Sequence, residues 1–134
     1  MRGSIFLDTN ILIYIFDKDI KKKSIAKNFL KEIPTISIQV CNEISNILLK
    51  KYSFRETDVR DVLNKIVYHS IVKEINLDDI NLALDLKERY RYSYYDSLII
   101  ASALNANCSI LYSEDLQHNQ QIFDKLKIVN PFKL

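Results

Sequence analysis

The sequence predicts an α/β domain, a mostly parallel sheet with helices on both faces. Three observations predict it. Short apolar or β-branched runs alternate with helix-length amphipathic segments, the pattern of βαβ units. The 134 residues give room for one core and not two, so a single domain over 1–134 is expected. The composition, 48% hydrophobic and 27% charged, is that of a globular chain that folds without disulfides or structural metal.

The elements follow in order. Ile5-Phe6-Leu7 is a short apolar strand ending at Asp8, and Thr9 or Asn10 is expected to cap the helix Ile11 to Phe16. That helix is apolar on nearly every side, so it must be buried or covered by a partner. A second helix runs from Ile20 to Ile33, with Lys21, Lys22, Lys23, Lys27 and Lys31 facing water, and Pro34 ends it. Thr35 to Gln39 alternates β-branched residues and reads as a strand. Val40, Ile44, Ile47 and Leu48 then form a helical stripe, and Arg55 to Tyr68 is a further helix. Ser70 to Ile75 is a third strand. Leu77 to Arg89 is helical, with Asp78 and Asp79 in its first turn. Ser93 opens the most apolar helix, Leu98 to Ala106. Ser109 to Tyr112 and Leu126 to Val129 are the last strands. Crossovers should be right-handed. The eleven asparagines are expected at turn positions that glycine fills elsewhere.

Several function classes are excluded. The single glycine, Gly3, leaves no phosphate-cradling loop. His69 and His118 lie far apart, and neither Cys41 nor Cys108 has a Cys-x-x-Cys partner, so zinc is not expected and free thiols fit a reducing cytoplasm. A net charge of +2 argues for neither nucleic acid nor membrane by itself. No 18-residue apolar run and no signal segment occurs, which places the expected location in the cytoplasm.

Four acids belong at or just beyond the carboxyl ends of strands, where open parallel sheets bind ligands. Asp8 ends the first strand, Glu43 sits in the first turn after the second, Asp96 begins the most apolar helix, and Asp115 follows the strand ending at Tyr112. Each has a structural explanation too. Asp8 can cap a helix, Glu43 can face a helix dipole, Asp96 can close a capping box with Ser93, and Asp115 can form an Asx turn. Together on one sheet edge they would crowd negative charge. Glu43 borders the Val40–Ile44–Ile47 face, and a carboxylate there is costly unless paired. The lysines nearest in sequence, Lys50 and Lys51, are two turns away. A divalent cation is the economical partner, and an all-oxygen acidic site favours Mg²⁺ or Mn²⁺.

These residues carry a family resemblance. Ile5-Phe6-Leu7-Asp8-Thr9-Asn10-Ile11-Leu12 resembles the opening motif of PIN-domain nucleases. Ile38-Gln39-Val40-Cys41-Asn42-Glu43 resembles their second acidic motif, and Tyr95-Asp96-Ser97-Leu98-Ile99-Ile100-Ala101-Ser102-Ala103 the third. Leu111-Tyr112-Ser113-Glu114-Asp115-Leu116-Gln117-His118 is similar to the fourth. The ordered set looks most like the VapC-type (virulence-associated protein C) ribonuclease toxins of type II toxin-antitoxin systems. Asn119 stands where many of those proteins carry glycine, and asparagine tolerates the left-handed backbone such a turn needs.

The resemblance implies a PIN-like fold with a five-stranded, mostly parallel sheet. It implies a catalytic metal site of Asp8, Glu43, Asp96 and Asp115, supported by Thr9, Asn10 and Ser113. Whether Glu114 shares the role of Asp115 stays open, with Asp115 favoured because Ser113-x-Asp115 matches the motif. The implied activity is hydrolysis of RNA phosphodiesters by metal-activated water, leaving 3′-hydroxyl and 5′-phosphate ends. The implied partners are an RNA substrate, a homodimer mate and a cognate antitoxin. The antitoxin is expected to lie in a groove bordered by the first helices and to send an arginine toward Asp8 or Asp96.

The stretch from Glu88 to Tyr95 interleaves basic and aromatic residues and holds half of the eight tyrosines. Arg89, Arg91, Tyr94 and His118 are therefore candidate RNA contacts, with His118 a candidate proton carrier as well. Tyr92 and Tyr95 could equally be core residues. Asp58, Asp61, Asp78, Asp79 and Asp85 read as exposed helix charges. Receiver and haloacid-type phosphatase readings fit poorly, because Asp8-Thr9-Asn10 lacks their second acid. A non-toxin PIN-like nuclease in RNA processing, or a catalytically silent RNA- or partner-binding module, are the alternatives. A silent module would be expected to lack an acid, and all four are present.

Overall fold

A computed structural model describes residues 3–134; Met1 and Arg2 lie outside the described residues. The centre of the sheet is β1 (Ile5–Leu7), with all three residues buried. β2 (Thr35–Ser37) and β3 (Ile71–Lys73) lie on one side. β4 (Ile110–Tyr112), β6 (Leu126–Val129) and the edge strand β5 (Gln121–Ile122) lie on the other. The order is β3-β2-β1-β4-β6-β5, and every pairing is parallel except β5 with β6. The chain thus starts in the middle, builds outward through β2 and β3, then returns to the other edge of β1. This reversal is the topological switch point at which doubly wound sheets open a crevice.

The α/β architecture agrees with the sequence reading, and the strand count corrects it. Among the described residues six strands are present where five were expected. The extra one, β5, spans two residues and turns back through Phe123 and Asp124, both at positive φ (51° and 55°). Lys125 N–H donates to the Ile122 carbonyl at 3.0 Å, closing the reverse turn. Such hairpins favour glycine or asparagine, so a Phe-Asp pair gave no signal. Packing holds it: the Phe123 ring meets Tyr90 edge-on, and Arg89 lies 4.9 Å above it. Of the seven non-glycine residues at positive φ among the described residues, Asn107 and Asn119 are the asparagines; Ile33, Ser53, Arg91, Phe123 and Asp124 fill the rest. The expectation that the eleven asparagines would sit at turn positions is therefore corrected: Asn107 and Asn119 do, but Asn10, Asn28, Asn42, Asn46, Asn64, Asn81 and Asn105 lie within helices.

The helices are α1 (Thr9–Ile13), continued by a 3₁₀ turn Tyr14–Phe16, α2 (Ile20–Lys31), α3 (Ile38–Lys50), α4 (Glu56–Tyr68), α5 (Leu77–Tyr90) and α6 (Tyr94–Asn105). Asp8, not Thr9 or Asn10, caps α1, accepting from the Thr9 N–H at 2.7 Å. Ser37 ends β2 and caps α3 through the Val40 N–H at 3.3 Å, so the strand is two residues shorter than its β-branched run predicts. In consequence Glu43 lies in the second turn of α3 rather than the first. A dipole explanation for it weakens, since that effect fades within one turn. α6 buries seven consecutive residues, Ser97 to Ala103, as its apolar composition requires.

Two charged residues differ from the expected solvated faces. Asp79 is fully buried. It forms a reciprocal capping box with Asn76 and accepts from the Asn105 amide at 2.6 Å and from the Lys73 ammonium. Lys22 on α2 turns inward, onto Tyr14, Phe132 and Glu114. No helix among the described residues is long and apolar enough to cross a membrane.

Candidate active site

The four acids come from four separate segments. Asp8 leaves β1 at the sheet centre, and its N–H donates to the Tyr112 carbonyl at 3.0 Å, extending the β1–β4 ladder. Glu43 comes from α3 after β2, Asp96 from the first turn of α6, and Asp115 from the loop after β4. All four line one cavity of about 340 Å³, together with Thr9, Asn10, Asn46 and Ile47. The cavity opens at the switch point beside β1 and β4.

Hydrogen bonds fix most of these groups. Ser113, fully buried below the cavity, donates to Asp8 Oδ2 at 2.8 Å and accepts the Asp115 N–H at 3.2 Å. The Asn10 amide reaches Asp8 Oδ2 at 3.3 Å, Ser113 Oγ at 3.3 Å and Asp115 Oδ2 at 3.1 Å, while its carbonyl oxygen accepts the Glu114 N–H at 3.0 Å. One side chain on α1 therefore ties the whole 113–115 loop to the first strand. Thr9 Oγ1 donates to Glu43 Oε1 at 2.6 Å, which joins α1 to α3. Gln39 Nε2 donates to the Tyr95 carbonyl at 3.2 Å and so sets α6, with Asp96, against the start of α3.

Asp96 and Ser93 form one half of the expected capping box: Ser93 Oγ accepts the Asp96 N–H at 3.2 Å, while the carboxylate lines the cavity. Glu114 points elsewhere. It accepts a hydrogen bond from the Tyr14 hydroxyl and pairs with Lys22 at 3.3 Å.

Burial pushes the Asp8 carboxyl up to about 6, against the Ser113 and Thr9 hydrogen bonds, with Glu43 and Asp96 adding like-charge repulsion. No Lys, Arg or His lines this cavity, and none of the ion pairs among the described residues involves the four acids. The donor set is hard oxygen and uncompensated, which fits Mg²⁺ or Mn²⁺ and suits neither zinc nor copper. Among the described residues no three acidic, His or Cys side chains converge tightly enough to cage an ion alone. The arrangement is an open bowl, and Mg²⁺ characteristically keeps several of its waters.

The remaining candidates lie outside this cavity. Arg89 stacks on Phe123 and Tyr90, Arg91 is the left-handed cap of α5, and Tyr94 packs on the core and against Tyr95. His118 Nδ1 accepts the Asn130 N–H at 2.9 Å. Tyr95 is 66% exposed beside Asp96, not a core residue, whereas Tyr92 is half-buried and donates to Gln120. Asn46 and Ile47 were not singled out as cavity residues from sequence. Their signal was present, because they stand three and four positions after Glu43, on the same helix face.

This α/β domain gathers four carboxylates in one cavity at its switch point, the place where open parallel sheets bind ligands. The chain belongs to the PIN-domain family, whose model matches residues 5–123. No curated protein matches it in sequence. Among solved structures it is similar to a toxin-antitoxin complex from Klebsiella pneumoniae, at TM-score 0.73 and 23% identity, over 96% of this chain and 98% of that one. It is similar to VapC20 of Mycobacterium tuberculosis, a sarcin-ricin loop cleaving toxin, at TM-score 0.66 and 17% identity, over 84% and 92% of the two chains. VapBC2 from Rickettsia felis, bound to a DNA fragment from its promoter, matches at TM-score 0.69 and 16% identity, over 94% and 98%.

Proposed function

We propose that this protein is a divalent-metal-dependent endoribonuclease and the toxin of a type II toxin-antitoxin pair. The observation that carries the reading is the set of four carboxylates, Asp8, Glu43, Asp96 and Asp115, on one cavity without a cationic neighbour. The PIN-domain match and the fold shared with toxins support it. A bound Mg²⁺ or Mn²⁺ would supply a water of lowered pKa and offset charge on the phosphate. The chain's own residues prepare the site. Ser113 and the Thr9 N–H aim the Asp8 carboxylate, Thr9 Oγ1 aims Glu43, and the Asn10 amide aims Asp115.

The antitoxin reading has its own support. An apolar groove of about 290 Å³ lies between the 3₁₀ turn, α2 and α4, lined by Phe16, Leu30, Val62 and Ile66, with Lys27 and Lys65 at its margin. It suits an amphipathic helix carrying acids beside its apolar face. Homodimerisation and a cytoplasmic location belong to the same reading.

Incubation with RNA and Mn²⁺ tests the function. Fragments with 5′-phosphate ends, absent in EDTA and absent with DNA of the same sequence, are expected. Cleavage that persists in EDTA, or none across structured and single-stranded RNAs, contradicts the reading. A co-expressed antitoxin should suppress the cleavage, and replacing its inserted arginine should relieve suppression more than it weakens binding.

A further inference from the structure

The carboxylate cavity does not end at Ile47. A second cavity, of about 440 Å³, adjoins it, and Asn10 and Ile47 line both. Its other walls include Tyr14, Asp17, Lys51 and Tyr52. Among the described residues lining either cavity, Lys51 is the single cation. It is exposed at the end of α3, two turns beyond Glu43, and none of the ion pairs among the described residues engages it. Its ammonium lies 6.0 Å from the centre of the Tyr52 ring. That ring is braced by Phe16 and Phe54, at 6.4 and 6.2 Å between centroids. Tyr14 is fixed as well, through its hydroxyl on Glu114.

These features are what a nucleic-acid strand needs beside an acidic centre. Four carboxylates repel a polyanion, so the strand must be anchored by a cation close to them but outside the bowl. A braced aromatic ring offers a stacking face for an unpaired base, whatever its identity. Asp17 on the same wall disfavours phosphate elsewhere in this cavity and directs it to Lys51.

We propose that the second cavity seats the nucleotide next to the scissile phosphate, with its base against Tyr52 and its phosphate on Lys51. The proposal rests on the RNA-cleavage reading above and adds where the strand runs: along α3, from Glu43 over Ile47 to Lys51.

The test uses the full chain and a fluorescein-labelled pool of random 12-nucleotide single-stranded RNA. Binding is read by anisotropy in EDTA, and cleavage in Mn²⁺. Lys51→Ala should weaken binding and raise KM by about five- to tenfold, with kcat little changed. It should also lower the salt slope of binding by about 0.7, the share of one phosphate contact on a single strand. Tyr52→Phe should bind as wild type, because the stacking face is kept, whereas Tyr52→Leu should lose about five- to tenfold. Lys87→Ala, an exposed lysine on α5, controls for net charge. Equal melting temperatures for Lys51→Ala and wild type exclude a folding defect. Lys51→Ala behaving as Lys87→Ala in binding, KM and salt slope, while wild type still cleaves, overturns the subsite and leaves the nuclease reading standing. Normal RNA binding by Lys51→Ala with loss of antitoxin inhibition would make the cavity a protein-docking face instead, and also overturns it. A wild type that does not bind the pool overturns the subsite, and the nuclease reading falls with it only where structured RNAs also go uncleaved in Mn²⁺.

Discussion

Asp8 carries the most informative chemistry in the molecule. Its folded pKa of about 6 lies above the ordinary 3.8. A carboxyl that holds its proton more tightly when folded favours the fold at low pH. Stability is then lost as pH rises through the window from 3.8 to about 6. Asp8→Asn should remove that loss and stabilise the metal-free protein at pH 7 by about 2 kcal/mol. Denaturant melts of both proteins at pH 4.5 and 7.5, in EDTA, check it; a variant less stable than wild type at pH 7.5 would make Asp8 a helix cap first and foremost. The position of Asp8 was legible because it ends an apolar strand, and that of Asn119 because asparagine tolerates a left-handed backbone. The depth of Asp8 was not legible, since burial depends on β2 and β4 closing around β1. Asp79 was misread as solvated for the same reason. Its Asn-x-x-Asp capping box is local and visible, but Lys73 and Asn105 reach it from other elements.

At the scale of elements, Asp79 shows the opposite electrostatics. Burial acts to raise its pKa, but Lys73, Asn105 and the Asn76 N–H outweigh burial and hold it below the ordinary carboxylate value. A depressed pKa adds stability above pH 3.8, and that stability is lost as pH falls through the folded value. The network joins β3, α5 and α6, so Asp79→Ala leaves a mostly buried ammonium without its partner. It should cost about 3 kcal/mol at pH 7, and less under strongly acid conditions. Chemical denaturation at pH 7 checks it, and a cost below about 1 kcal/mol would return Asp79 to the class of surface charges. Helices were legible because their apolar periods are long, and the central strands because they are short apolar or β-branched runs set between them. Two boundaries were not: Ser37 caps α3 inside a β-branched run, and the β5 turn forms without glycine. In both, a single hydrogen bond or ring contact overrides local propensity. The helix boundary matters for the site, because it moves Glu43 one turn deeper along α3.

Across the whole molecule, one topological event makes the site. Starting the chain at the sheet centre puts Asp8 between the segments that bring Glu43 and Asp115, and α6 delivers Asp96 from a buried helix. The order of acids along the chain made this convergence legible, whereas the hydrogen bonds through Asn10 and Gln39 are products of packing. The most direct measurement of the central claim is the cleavage rate of single-stranded RNA against Mn²⁺ concentration, for wild type, Asp8→Asn, Asp96→Asn and the exposed-charge control Asp85→Asn. Wild type and Asp85→Asn should show the same saturable activation. Asp8→Asn and Asp96→Asn should fall by about 100-fold or more at saturating Mn²⁺ while keeping wild-type melting temperatures or better in EDTA. Cleavage by folded Asp8→Asn at the wild-type rate, or activation that ignores Mn²⁺, would contradict the claim that these carboxylates form the catalytic metal site.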